Sequence, residues 1–385
     1  MGEDLVSTLL GWIILFAFII FYPRLMLSQL LNRLESSAQA LETLSKRARV
    51  LIMKKIGRRD KRLEASIEEM QNFVVIEPSS LDPFGIVKKI DQIFRTMERR
   101  FEEFVDEVAP KKSRKEKREI NFALRAAIGV HSIAKLVRHY VELIKRFRNL
   151  QLALILQMQL PLIERIAKSE YAGVEAFVKG LPVGDGIGPL CAALLIEGEA
   201  KPIAEDVVAY EREIEGRKVI VLKATGPEPS LGRIDEAIAK LVKGRKVAKV
   251  ITIDAATKLE GERTGSVASG VGFAMGSFER EIAENVLLPR GIPIEAIVIK
   301  VGFEEAIEPM KPEIAEASKV VLEHLRQMIS RTRRKGVIIV AGIGNSSGIG
   351  NDRREALKAI ELVKRIRTRR VVKRKTFVFK RVEKQ

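Results

Sequence analysis

Residues Leu5 to Tyr22 carry no charged side chain and include Trp12, Phe16, Phe18 and Phe21. A helix of that length spans about 27 Å, close to the roughly 30 Å hydrocarbon layer of a bilayer. No other stretch constrains the chain so tightly, and it predicts a membrane anchor over 1–27 in contact with lipid. A cleaved leader fits poorly. No basic residues precede the segment, and Phe21-Tyr22-Pro23 lacks the small residues of a cleavage site. Tyr22 and Arg24 suit the headgroup level. Glu3 and Asp4 lie before the segment, whereas Arg24, Arg33, Lys46, Arg47 and Arg49 follow it. The positive-inside rule then predicts one pass, with the N-terminus outside and the body cytoplasmic.

Beyond the anchor the pattern is helical. Leu27, Leu31, Leu34, Ala38, Leu41, Ala48 and Leu51 recur at heptad-like spacing, predicting a helix over 25–72. Pro78, Ser79, Ser80, Asp82 and Pro83 break it. Ile86, Ile90, Ile93, Met97, Phe101, Phe104 and Val108 form a second stripe. Residues 28–108 thus read as a helical hairpin or coiled-coil stalk, paired within the chain or between subunits of a homo-oligomer. A helical region over 109–179 follows, with helices near 119–147 and 149–178. Gln151, Gln157, Gln159 and Pro161 interrupt the apolar run Leu150–Leu162, which suits a buried core helix better than a second span. His131 falls on an apolar stripe and reads as a core histidine. His139 and His324 have no companions at metal-ligand spacing.

The 385 residues carry a formal charge of +18, which favours acidic partners: anionic lipid, nucleic acid or an acidic protein surface. The run Lys111–Arg118 either touches phospholipid or RNA or forms a solvated loop. No aromatic side chain interleaves with it to stack on bases. The tail 369–385 is again basic, and Val371-Val372 and Phe377-Val378-Phe379 suggest an edge strand. Cys191 is the single cysteine, so no internal disulfide forms.

From 180 to 368 short β-rich runs alternate with helical patterns. Val219–Leu222, Val250–Ile253, Ile294–Val301 and Val337–Val340 are separated by patterns over 230–243, 277–288, 312–332 and 352–368. This predicts an α/β domain, a mainly parallel sheet with helices on both faces. Chemistry in such sheets collects at the carboxyl ends of the strands, which singles out three places. Asp185 lies among Gly184, Gly186 and Gly188 at the start of a helix, exposed and stabilised by the positive helix end, or else acts only as a cap. Asp254 follows a hydrophobic strand, with the small-residue loop Ser266–Gly272, including Ser269, Gly270 and Gly272, downstream. The loop Gly342–Asn351 contains Gly344, Asn345, Ser346, Ser347 and Gly348. It either cradles an anion on its N–H groups or is a structural turn.

Val183-Gly184-Asp185-Gly186-Ile187-Gly188-Pro189-Leu190 resembles the aspartate–glycine–x–glycine–proline turn of hydrogenase maturation proteases. Ile251-Thr252-Ile253-Asp254-Ala255 resembles their second acidic strand end. Both signatures also mark the related spore germination protease, whose serine–glycine–valine–glycine loop is similar to Ser269-Gly270-Val271-Gly272. The likeness spans roughly 180–305. It implies that fold, with Asp185 and Asp254 as catalytic carboxylates that share a proton, activate water or bind a divalent metal ion. Two departures stand out. No histidine follows at the expected place, and the glycine–x–glycine–asparagine turn lies at 342–345 instead of before the first aspartate. At whole-chain level the layout resembles an uncharacterised archaeal membrane-anchored family known only as a domain of unknown function.

The leading expectation is therefore a membrane-anchored, peptidase-like hydrolase. The alternatives are a non-catalytic module that binds a nucleotide or phosphorylated ligand through 342–351, and a membrane scaffold that recruits nucleic acid or ribosomes through basic surfaces.

Overall fold

The computed structural model describes residues 2–73, 86–271 and 286–366. The break at 78–83, most of the 277–288 pattern, Gly272 and the tail 369–385 lie outside them. The first helix, α1 (Gly2–Ile56), runs unbroken through Pro23, so anchor and stalk are one rod. Gly57 ends it with a φ of 92°, and Asp60 caps α2 (Lys61–Gln71) by accepting the Leu63 N–H at 2.8 Å. The helix predicted over 25–72 is therefore two.

Three further helices follow: α3 (Ile86–Val108), α4 (Arg114–Phe147) and α5 (Leu150–Val178). The α4 start is a capping box. Ser113 Oγ accepts the Glu116 N–H, and Glu116 accepts the Ser113 N–H at 3.1 Å. The basic run is thus a mostly exposed turn over 111–113 that leads into a helix start from Arg114. Arg114 and Arg118 pair with Asp206, Lys117 with Asp106 and Lys112 with Glu116.

The heptad seam of α1 buries Leu27, Leu34, Ala38 and Leu41 against Ala134, Val137, Val141 and Ile144 of α4 and Ala153, Leu156 and Leu160 of α5. Its partners are therefore α4 and α5, in a three-helix bundle. Residues 28–108 do not form a self-contained hairpin. His131 sits in this bundle with both ring nitrogens engaged, by Ser45 Oγ at 3.1 Å and Asn72 Oδ1 at 3.2 Å. By length and composition, α1, α4 and α5 are all apolar enough to cross a membrane. Burial separates them: none of the apolar window of α1 is buried, against 50% for α4 and 22% for α5. Leu9 to Leu25 leave their large apolar side chains exposed, as a membrane anchor would.

The second half of the chain builds a seven-stranded sheet in the order β1 (Lys201–Ala204), β2 (Val207–Ile214), β3 (Arg217–Ala224), β7 (Val337–Gly342), β4 (Val247–Thr257), β6 (Ile294–Val301), β5 (Val267–Val271). The four central strands, β3, β7, β4 and β6, run parallel. They are nearly continuous Val, Ile and Ala, as burial on both faces demands. Antiparallel strands extend both edges, so the sheet is mixed where a mainly parallel one was expected. One face is covered by α6 (Ile187–Leu194), α9 (Pro312–Ser330) and a last helix, α10, over 353–366. The other is covered by α7 (Ile234–Gly244). A short helix, α8 (Phe303–Ile307), follows β6 and packs on α5.

Candidate acidic site

Strand β7 stops at Gly342, opposite Ile253, while β4 continues beside β6 to Thr257. Asp254 is thus the first residue of β4 beyond the end of β7, and it pairs with Val298 of β6. It lies inside the strand, not directly after it as the hydrophobic run suggested. Side chains alternate along β4. Ile251 and Ile253 enter the core under α6, and Val250 enters the core under α7. Thr252 and Asp254 therefore leave the sheet on the α7 face. Both are buried, and among the described residues the Thr252 hydroxyl has no hydrogen-bond partner.

Asp185 reaches the same edge from the other face. It sits in a 3₁₀ turn (Gly184–Gly186) that runs directly into α6 and lies against β4. The approach is close enough to exclude a side chain. A Cβ on Gly188 would stand 2.1 Å from the Ile343 carbonyl oxygen and 2.4 Å from that of Ile253. At Gly344, with a φ of 122°, a Cβ would stand 2.0 Å from the Asp185 carbonyl oxygen. The Asn345 N–H donates to Asp185 Oδ2 at 2.9 Å. Burial pushes the Asp185 carboxyl above its usual pKa, and this hydrogen bond only partly opposes the shift. The expectation of an exposed carboxylate stabilised by a helix end is therefore corrected: α6 is short and desolvation dominates.

The loop 342–351 folds down onto this turn, so the structure joins two stretches that are far apart in the chain. Most of its backbone donors are used within the protein. Ser346 N–H goes to the Ser230 carbonyl, Ser347 N–H to Asn345 Oδ1, Gly348 N–H to the Pro227 carbonyl and Asn351 N–H to Glu355. Ser346 and Ser347 are fully buried, their hydroxyls donating to the carbonyls of Ala224 and Leu181 at 2.6 and 2.9 Å. Ser269 and Gly270 do not join the site. They lie on edge strand β5, exposed, where a substrate loop was expected.

Two groups near this edge escaped the sequence reading. Lys223, at the carboxyl end of β3, is fully buried and donates to the Ala224 carbonyl at 2.6 Å and to Asn351 Oδ1 at 2.9 Å. Burial lowers its pKa to about 7, against the pull of Glu355 and Glu228. Glu305, at the start of α8, accepts from Lys311 Nζ at 2.6 Å, Gly302 N–H at 2.6 Å and Thr264 Oγ1 at 2.8 Å. Burial pushes its pKa upward, but these donors prevail and hold it at about 2. Among the described residues no group of three or more His, Cys, Asp and Glu gathers as a metal site. The donor set fits a metal poorly.

Two family models match adjoining parts of the chain: the N-terminal domain of a protein of unknown function, DUF1512, over 8–180, and the DUF1512 C-terminal domain over 183–350. The chain belongs to the DUF1512 family. The two DUF1512 matches meet where α5 gives way to the 3₁₀ turn of Asp185, so the helical bundle and the sheet each correspond to one family domain. No curated protein and no solved structure matches the chain.

Proposed function

We propose that the protein is a membrane-anchored, peptidase-like hydrolase whose working groups are Asp185 and Asp254. One observation carries this reading: the two carboxylates approach the same carboxyl edge of the parallel strands from opposite faces, over the end of β7. Such an edge is where open α/β sheets place their chemistry. Unequal environments suit unequal roles. Asp185, biased toward its protonated form, donates to a leaving group, and Asp254 takes the proton of an attacking water. The glycine–x–glycine–asparagine turn supports the likeness to hydrogenase maturation proteases. It comes from the far end of the chain, yet its Asn345 N–H binds the first aspartate. The phosphate-ligand reading is weaker, because the N–H groups at 345, 346, 347, 348 and 351 are already bonded within the protein. In this reading α1 crosses the bilayer once, with its N-terminus outside and the acidic edge in the cytoplasm.

The test is peptidase turnover of the full chain on a mixed peptide library, with Asp185→Asn and Asp254→Asn alongside. Both variants should lose at least about 100-fold in rate, the scale of a lost acid or base, and both should keep cooperative thermal melts. Retention of activity in both would overturn the assignment. Stability supplies an independent readout for Asp185. A raised native pKa means the folded state holds a proton that the unfolded state releases as pH rises past about 4. That costs stability at neutral pH. Asp185→Asn should therefore melt higher than wild type at pH 7, with the gain shrinking below pH 4.

A further inference from the structure

The turn between α4 and α5 lies at the bilayer end of the bundle, and its height can be read from side-chain contacts. Helix α5 runs parallel to α1. Gln157, with its amide oxygen turned to satisfy it, accepts from Arg33 at 3.0 and 3.2 Å, and the Val178 carbonyl accepts from Lys55 at 2.9 Å. Both contacts place an α5 residue level with the α1 residue about 124 positions earlier. Helix α4 runs antiparallel. Lys145 meets Glu35 at 2.6 Å, Arg138 meets Glu42 at 2.6 Å, His131 meets Ser45 and Glu119 meets Lys55. Together these set Phe147 to Leu150 level with roughly residues 26–30 of α1, about 3–9 Å beyond Arg24 along the helix axis. The headgroup layer on each side of the hydrocarbon core is about 5–8 Å thick.

The turn has the chemistry of that layer. Phe147 is 64% exposed, more than Leu136 at 55% or any other large apolar side chain of α4. Arg146 stacks its guanidinium on the Phe147 ring at 5.4 Å. Among the described residues neither Arg146 nor Arg148 has an ion-pair partner, whereas neighbouring Lys145 is held by Glu35 and Glu142. Arg148 adopts a φ of 50°, a left-handed conformation that glycine fills most readily at a helix end and that costs other residues about 1 kcal/mol. A cation is thus kept where backbone geometry prefers glycine.

We propose that the α4–α5 turn is a second membrane contact, with Phe147 seated among the lipid headgroups and Arg146 and Arg148 on the phosphates of anionic phospholipid. This rests on α1 being a membrane anchor. The contact fixes the rotation of the bundle about α1, which a single-helix tether leaves free.

The test uses the full chain in vesicles of phosphatidylcholine, with and without phosphatidylglycerol. An environment-sensitive fluorophore is placed on Leu15→Cys, Phe147→Cys or Met158→Cys in turn; native Cys191 is buried and stays unlabelled. The label at 147 should be quenched by headgroup-level quenchers and shift further to the blue when phosphatidylglycerol is present. The label at 158, about 15 Å below Arg24 by the same register, should remain in water. The pair Arg146→Glu and Arg148→Glu should abolish the phosphatidylglycerol-dependent part of the shift. Arg148→Gly should weaken it while raising the melting temperature. If the Leu15 label is in lipid and the 147 label is as wet as the 158 label, the second contact is overturned and the anchor stands. A Leu15 label in water overturns the anchor and the contact with it.

Discussion

The bundle of α1, α4 and α5 and the sheet edge at Asp185 solve opposite problems with the same backbone physics. Around Glu35 in the bundle, charged groups stay near water and pair there. Glu35 accepts from Lys145 and Arg138, both at 2.6 Å, and these bonds hold its pKa at about 2. At the sheet edge, polar groups are taken out of water. Asp185 is pushed up, Lys223 is pushed down to about 7, and Thr252 buries a hydroxyl that has no partner among the described residues. The Glu35 cluster uses its charges for stability, while the edge holds groups poised to change protonation at a cost in stability. Uncompensated cost of that kind is expected at functional sites.

The sharpest way to break this comparison is to place the same methyl group in each region. Gly188→Ala pushes a Cβ into two backbone carbonyls and should destabilise the protein by about 3 kcal/mol or more in denaturant melts. Gly129→Ala, inside α4, meets only the end of the Glu170 side chain at 3.1 Å. It should be neutral or stabilise by up to about 1 kcal/mol, because alanine favours the helix. Similar losses at both sites would show that the edge is no more tightly packed than the bundle.

A smaller effect concerns Lys223. Its native pKa near 7 lies below its ordinary value of about 10.5, so between these limits the unfolded chain binds more protons than the folded one. Stability should rise with pH across that window. In Lys223→Met the rise should be weaker, which thermal melts at pH 7 and pH 10 would show. Equal slopes would mean that the buried amine is not titrating.

The smallest effect belongs to the bundle. Glu35→Gln should cost at most about 1 kcal/mol at pH 7, the range for partly exposed ion pairs. Because the native pKa of Glu35 is depressed, its contribution is complete above pH 4.5 and fades as pH falls toward 2. Wild type and variant should therefore converge in acid.

The parts of this molecule that the sequence made legible are those where local pattern and tertiary environment agree. The uncharged run from Leu5, the heptad seam of α1 and strand Ile294–Val301 each follow from spacing and side-chain type alone. Strands β1 and β2 did not. Glu211, Arg212 and Glu213 lie on a strand paired antiparallel near a sheet edge, and their charges masked it. β5 was read as a loop because Ser269 and Gly270 have little strand propensity, and its pairing with β6 is what orders it. Asp185 and Asp254 were found because each ends or interrupts a recognisable pattern. The desolvation of Asp185 was not, since it depends on a loop some 160 residues away whose Asn345 N–H reaches its carboxylate. Lys223 was invisible for the same reason: its partner Asn351 lies 128 residues further along, and a lysine after a hydrophobic run reads as a strand leaving the core.

The unbroken α1 rod also has a geometric consequence for any client. Val178, where the bundle hands over to the sheet domain, is level with Lys55. An upright helix rising about 1.5 Å per residue sets that level on the order of 45 Å from Arg24. With α1 spanning a bilayer as proposed, the acidic edge would stand at a fixed distance from the lipid surface. On that proposal a peptide lying flat on the lipid surface would be out of its reach, whereas a chain projecting tens of ångströms into the water would meet it. Lengthening or shortening the rod by whole helical turns would retune that selection without altering a single residue of the site.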